Sequence, residues 1–368
     1  MSSNSLVPAP LARMPWVLIL VVTAITGFGL IVLYSAAGGK MMPWALPQGV
    51  RYVVFLCGAM LLSRLDEEQL KSIAWPVYLV IVLLLVGVEG LGAVGGGSRR
   101  WLNLKIFNLQ PSELMKPAIV LVLARFYDML PAGEIRRFSA VWPAALLIGV
   151  PFALVLVQPD LGTALMIAFG GVTAMLLSGI PKRWFLGAVL AGVALTPIAL
   201  HNMHDYQRNR IEIFLNPESD PLGTGYHIIQ SKIAIGSGGI VGKGFLQGTQ
   251  SHLDYLPESH TDFVFATMAE EWGLLGGLGI ILAYSFVIGW GMRVAMAART
   301  RFGRIAAAGL TTTIFFYVAI NLLMVVGLAP VVGIPLPLVS FGGSAMMTVL
   351  ICLGLLMAID RHNKSHTR

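Results

Sequence analysis

The sequence predicts an all-α, polytopic membrane protein of about ten transmembrane helices, and three observations predict it. Of 368 residues, 56% are hydrophobic and 12% charged, whereas a soluble domain carries about 25% charged residues. The apolar residues gather into runs near the length of about 20 that crosses a hydrocarbon core of ~30 Å. Most of the 25 Lys and Arg residues fall in alternate connections, the signature of the positive-inside rule.

Taken in order, the runs lie near 14–36, 48–64, 74–92, 113–130, 141–158, 163–180, 184–200, 263–292, 305–328 and 342–359. The first exceeds the ~7–15-residue core of a cleaved signal peptide, so it is expected to be retained. The fifth and sixth are joined by the tight turn Gln158-Pro159-Asp160-Leu161-Gly162. One long polar segment, about 200–262, separates the seventh and eighth. No repeat of 20–50 residues and no soluble second domain appear, so residues 1–368 read as one membrane domain.

With the N-terminus inside, the inside connections hold Arg64, Lys71, Arg125, Arg136, Arg137, Lys182, Arg183, Arg293, Arg299, Arg301 and Arg304. An even helix count then puts both termini on that side. The net charge of +7 reflects these loops rather than a nucleic-acid surface. Cys57 and Cys352 sit in apolar runs, and no Cys/His spacing suggests a metal site.

Basic residues that break the orientation pattern point to chemistry. Arg99, Arg100 and Lys105, with Trp101, follow the third run; Arg208, Arg210, Lys232 and Lys243 lie in the long outside segment. A bound anion accounts for them, since Arg offers paired donors to phosphate and Lys a point charge. Solvated loops or lipid headgroups account for them as well.

The fourth run opens Gln110-Pro111-Ser112-Glu113 with Lys116. Glu113 suits the positive end of a helix, and Lys116, three residues on, shares its face. The pair either holds the helix mouth or faces an interior cavity. Asp160 precedes a helix and suits an N-cap, or it orients a neighbouring basic side chain or substrate. Tyr226 to Ile235 reads as an amphipathic helix along the membrane surface. The glycine-rich stretch Gly236 to Gly244 is a flexible loop first and a weak phosphate cradle second, because it lacks the phosphate-loop pattern. His260-Thr261-Asp262-Phe263 ends the polar segment and opens the eighth run. Thr261 or Asp262 suits a cap there. A carboxylate at that mouth, with Glu258 before it and Glu270 and Glu271 after it, also suits chemistry. Pro335 to Ser344, containing Ser340, is a rigid turn entering the last run.

Arg100-Trp101, Gln110-Pro111-Ser112-Glu113 with Lys116, Gln158 to Thr163, Ala234 to Gly239, Leu256-Pro257-Glu258 with His260 to Phe263, and Pro335 to Gly343 together resemble the SEDS (shape, elongation, division and sporulation) family. Asp205 to Arg208, Asn216-Pro217-Glu218 and Gly242-Lys243-Gly244 resemble its elongation branch more than its division branch. The resemblance covers nearly the whole chain. It implies a ten-helix protein of the bacterial inner membrane with a large periplasmic loop. It implies a glycosyltransferase that polymerises lipid II into peptidoglycan, partnered by a class B penicillin-binding protein of the PBP2 kind within the elongation machinery. It also implies an essential carboxylate at Asp262. The second run departs from the family pattern, so Gln48 and Arg51 receive no role.

On this basis Asp262 is the expected general base. Arg100, Trp101, Glu113, Lys116, Asp160, Arg210, Lys232, Lys243, His260 and Ser340 are the expected substrate-binding residues. No cofactor is required, although a divalent ion (Mg or Mn) is compatible with the leaving pyrophosphate. A lipid II flippase or a non-catalytic scaffold for the crosslinking enzyme are the alternatives. Ionisable residues clustered on one side, rather than through the bilayer, favour the enzyme.

Overall fold

The computed structural model describes residues 14–91, 93–95, 98–103, 108–131, 133–201, 205–220, 223–253, 255–256 and 258–365. Helices occupy every expected apolar run. They are α1 (Trp16–Ala36), α2 (Ala45–Leu62), α3 (Glu67–Leu91), α4 (Pro111–Met129), α5 (Phe138–Val157), α6 (Leu161–Leu177) and α7 (Lys182–His201). The long polar segment carries α8 (Asp205–Leu215), a 3-10 turn (Pro217–Ser219), α9 (Thr224–Ser237) and the short α10 (Thr249–His252). The bundle closes with α11 (Val264–Ala297), α12 (Arg301–Val325) and α13 (Gly343–Ser365). Among the described residues, seven helices are long and apolar enough to cross a membrane: α1, α2, α3, α5, α11, α12 and α13. The 17-residue α6 is apolar but shorter.

Helix α4 shows why apolar length is an incomplete guide. It carries Glu113, Lys116, Arg125 and Asp128, yet nearly every side chain from Pro111 to Ala124 is buried. It packs against α3, α5, α6, α12 and α13 and so forms the centre of the bundle. Its polar groups meet protein rather than lipid, the placement in which intramembrane charges are tolerated. By contrast α7 exposes Leu186, Val189, Leu190 and Val193, as a helix facing lipid should.

The fold is the expected all-α bundle, with one small addition. The connection after α3 forms a small antiparallel sheet, with β2 (Ser98–Asn103) between β1 (Ala93–Gly95) and β3 (Asn108–Leu109). Trp101 pairs with Ala93 and Leu102 with Leu109. Strand pairing satisfies backbone donors and acceptors of this loop.

The amphipathic helix is present as α9, but its narrow buried face packs on the bundle. Ile228, Ser231 and Ala234 are buried, and the Ser231 hydroxyl donates to Val325 O at 2.8 Å, at the end of α12.

Helix α11 is two helices joined at Gly273, whose φ of 64° and ψ of −161° are non-helical. The glycine-rich loop fills the break. Lys243 N and Gly244 N donate to Glu270 O and Glu271 O (2.9 and 3.0 Å), while Leu274 N and Leu275 N donate to Gly239 O and Ile240 O (2.9 and 3.1 Å). The loop thus replaces the helical hydrogen bonds that the break removes. A Cβ at Gly242 would lie 2.1 Å from Glu271 O, so only glycine permits this approach.

Candidate active site

The site is built where the 258–263 loop, the α12–α13 connection and the first turns of α2, α4 and α6 meet. Asp262 precedes α11, and the helix begins with Phe263 at the cap position and no side-chain cap. Thr261, expected as a possible cap, instead gives its hydroxyl to the Glu258 carboxylate at 2.5 Å. The Asp262 backbone is fixed from α12. Asn321, fully buried, donates from Nδ2 to Asp262 O (2.9 Å) and to Ile334 O (2.8 Å). The Asp262 side chain is half-buried and reaches toward exposed Gly333, where an added Cβ would lie 3.7 Å from Oδ2. A carboxylate held this way is rigid at its root.

The α12–α13 connection then links the other expected residues to Asp262. One residue before Gly333, Val332 packs on the start of α6, where a Cβ on Gly162 would meet Val332 O at 2.9 Å. Asp160 caps α6 by accepting from Thr163 N at 3.1 Å. Its other oxygen accepts from Gln110 Nε2 at 3.3 Å and faces the Arg100 guanidinium at 3.6 Å. Arg100 also donates to Gln158 O (2.9 Å) and Pro159 O (2.5 Å). Capping and orientation of a basic side chain are therefore both true of Asp160.

Glu113 and Lys116 form a buried trio with Tyr317. Lys116 Nζ lies 2.6 Å from Glu113 Oε1 and 2.7 Å from the Tyr317 hydroxyl, which itself donates to Glu113 Oε2. Lys116 is 1% exposed and Tyr317 0%. Tyr317 stands one turn, about 6 Å, before Asn321 on α12. The ion pair thus sits one helical turn beneath the residue that fixes Asp262.

His260 stacks flat on Trp44, with centroids 4.0 Å apart and planes 6° apart. Its carbonyl accepts from Phe341 N at 2.8 Å. Burial pushes the imidazole below the ordinary histidine range, and the nearby Glu258 carboxylate opposes that shift. Ser340 is buried and structural in its contacts: its hydroxyl accepts from Leu336 N at 2.8 Å, and its carbonyl accepts from Gln48 Nε2 at 2.7 Å. Lys232 is exposed and lies over Gly327 at the end of α12. Trp101 is half-buried on β2. The Arg210 side chain lies outside the described residues.

Lys243 is engaged elsewhere. Its ammonium lies 2.6 Å from Glu270 Oε1, an oxygen that also accepts from Thr249 N and Thr249 Oγ1 (both 2.9 Å) and Gln250 N (3.1 Å). Glu271 accepts from Ser35 Oγ at 2.5 Å. Both adjacent carboxylates therefore face protein, as their position in an apolar helix demands.

Gln48, Arg51 and Asn321 are the residues that the sequence did not assign. Each is a polar residue inside an apolar run, which is the signal that marks them. Their partners lie far away in sequence, and that is what hides their roles.

This fold and site define a polytopic membrane protein with an ionisable centre at one end of the bundle. The FtsW/RodA/SpoVE family model, described as a cell cycle protein, matches residues 15–365, and the chain belongs to that family. It is 43% identical over 350 residues to the peptidoglycan glycosyltransferase MrdB of Escherichia coli, covering 94% of this chain and 93% of that one. It is 36% identical over 365 residues to the probable peptidoglycan glycosyltransferase FtsW of Geobacter metallireducens, covering 96% of each. Among solved structures, it matches a chain of a peptidoglycan synthase complex that coordinates polymerization and crosslinking, with TM-score 0.83, 32% identity and coverage of 95% and 98%. It also matches the rod shape determining protein RodA of Thermus thermophilus, with TM-score 0.70, 30% identity and coverage of 95% and 97%.

Proposed function

We propose that this chain is a peptidoglycan glycosyltransferase that polymerises lipid II during cell-wall elongation, with Asp262 as general base. The observation that carries the assignment is Asp262 itself, fixed through its backbone by Asn321 and directed toward exposed Gly333. Membership of a family whose relatives bear the glycosyltransferase name supports it.

In the reaction, a sugar hydroxyl of one chain attacks the anomeric carbon of another. A C–O bond forms, the bond from that carbon to the pyrophosphate oxygen breaks, and the lipid pyrophosphate leaves. Asp262 takes the hydroxyl proton, a contribution of about 10²–10⁴ in rate. A single displacement gives inversion at the anomeric carbon. Positive charge from the chain steadies the leaving group. Arg100 and Lys116 are held for that task by Asp160 and Glu113, and Lys232, on α9, lies over Gly327 where the α12–α13 connection begins. A divalent ion is an optional addition, whose share a titration with EDTA reads.

The same proposal places the chain in the bacterial inner membrane with Asp262 on the periplasmic side. It gives it a class B penicillin-binding protein as crosslinking partner. Purified chain, reconstituted without any other glycosyltransferase and given labelled lipid II, should produce glycan polymer. Movement of labelled lipid across the bilayer without polymer would favour a flippase instead, and neither product would favour a scaffold.

A further inference from the structure

Three residues of α2 share one face and grip the Asp262 end of the bundle. Trp44, at the cap position, Gln48 and Arg51 are spaced i, i+4 and i+7, so they stand above one another. Trp44 stacks on His260. Gln48, fully buried, donates to Ser340 O at 2.7 Å and accepts from Gly342 N at 3.4 Å. The Arg51 guanidinium lies over the Phe341 ring, 4.8 Å from its centroid, and Phe341 N in turn binds His260 O. The Gln48 amide is satisfied by these contacts. Arg51 is not: it is half-buried, and no carboxylate or carbonyl partner accompanies it among the described residues.

An arginine about 9 Å into an apolar helix is expensive unless it meets a partner. The ring attracts the guanidinium by its face. That contact leaves the N–H donors, which lie around the edge of the plane, able to bind a second group. The pattern is that of a pre-oriented donor fork whose acceptor arrives from outside the chain. Phosphate is the acceptor that such a fork fits best. Membrane lipids offer the same chemistry in their headgroups. The contacts favour the substrate, because Phe341 ties Arg51 to His260, two residues from Asp262.

We propose that Arg51 is an anion-binding residue of the Asp262 site and takes a phosphate oxygen of the lipid-linked pyrophosphate. The proposal rests on the glycosyltransferase assignment for its choice of ligand, and its test is separable from that assignment.

The test measures binding of farnesyl pyrophosphate and of neutral farnesol to the purified full chain in detergent, for wild type, Arg51→Met, Arg51→Lys and Phe341→Leu, each checked by thermal melting. Arg51→Met should weaken farnesyl pyrophosphate about 10- to 100-fold, the loss of a charge-assisted hydrogen bond, and leave farnesol unchanged. Arg51→Lys keeps charge but loses the fork, and should fall between. It also carries the test if Arg51→Met does not fold. Phe341→Leu should weaken the pyrophosphate by a smaller factor. Unchanged pyrophosphate affinity in both Arg51 variants overturns the proposal. So does equal competition by phosphatidylglycerol vesicles that also depends on Arg51, which would assign the residue to headgroups. If wild type makes no polymer from lipid II while Arg51-dependent pyrophosphate binding persists, the enzyme assignment falls and the pyrophosphate site stands. If wild type polymerises and the Arg51 variants bind and polymerise as it does, the site falls alone.

Discussion

The two ends of the bundle treat their cations differently. At the end that holds the termini, half-buried basic side chains close on the chain itself. Lys71 meets Glu67, Glu68 and Asp128 at 3.0, 3.1 and 3.4 Å. Arg125 meets Asp128 at 3.3 Å and Arg361 meets Asp66 at 3.0 Å. Arg301 donates to Tyr127 O and Leu130 O at the end of α4. At the Asp262 end, the buried or half-buried Arg100, Lys116 and Lys243 are paired, but the half-buried Arg51 has no acidic partner among the described residues. A fold that needed charges only for anchoring would treat both ends alike. The half-buried Arg51 is the exception, and an anion bound there is what the proposal above supplies.

The largest expected effect comes from the buried trio. Lys116→Met leaves Glu113 and Tyr317 buried without their cation, and breaking a buried pair in this way costs about 3–5 kcal/mol. Thermal melting in detergent should show this loss. The matching change at the other end, Arg361→Gln, removes a more exposed pair worth at most about 1 kcal/mol. Equal losses from the two substitutions would break the comparison.

Next in size is Asn321. Asn321→Leu deletes both hydrogen bonds to the 262 and 334 carbonyls and leaves those acceptors buried, at about 1–3 kcal/mol. Polymerisation should fall further than Asn321→Ser predicts from stability alone, because Asp262 loses its fixed backbone. A melting shift with an unchanged rate would make Asn321 purely structural.

Glu270→Gln should act on the loop before the bundle. It removes the charge that holds Lys243 while keeping an acceptor for Thr249 and Gln250. Faster hydrogen exchange across 239–250, with little change in α12, is the expected pattern. Uniform protection would mean that the backbone bonds at the Gly273 break suffice to hold the loop.

The smallest effect is the pH dependence. The folded-state pKa of His260 is lowered by burial, with Glu258 opposing, and His227 is lowered for the same reason with Glu258 and Asp220 opposing. The unfolded chain therefore binds more protons over the window just below the ordinary histidine pKa. Stability should fall as pH drops through ~6.5 and level off below the folded values. His260→Gln should flatten part of that slope and His227→Gln another part; an unaltered slope in both would place its origin elsewhere.

The helix positions were legible because the bilayer imposes one length on every span. Their ends were less so: α3 starts at Glu67 and α2 at Ala45, ahead of the apolar runs, since helices continue into polar turns. The break at Gly273 was invisible, because a positive φ leaves no mark in an apolar run. For the same reason the 236–244 glycines read as a flexible loop, when they in fact complete a broken helix. Asp262, Glu113, Lys116 and Asp160 stood out as charges at helix mouths. Asn321 and Gln48 did not, because an amide gains meaning only from the carbonyl opposite it, and Gln48 finds its carbonyl at residue 340.

The central claim is that the Asp262 end performs the polymerisation. Purified wild type and Asp262→Asn, matched for melting temperature and given labelled lipid II with no other glycosyltransferase, test it directly. Glycan strands from wild type and a rate about 10²–10⁴ lower in the variant are the predicted result. Polymer from Asp262→Asn at the wild-type rate would contradict the account.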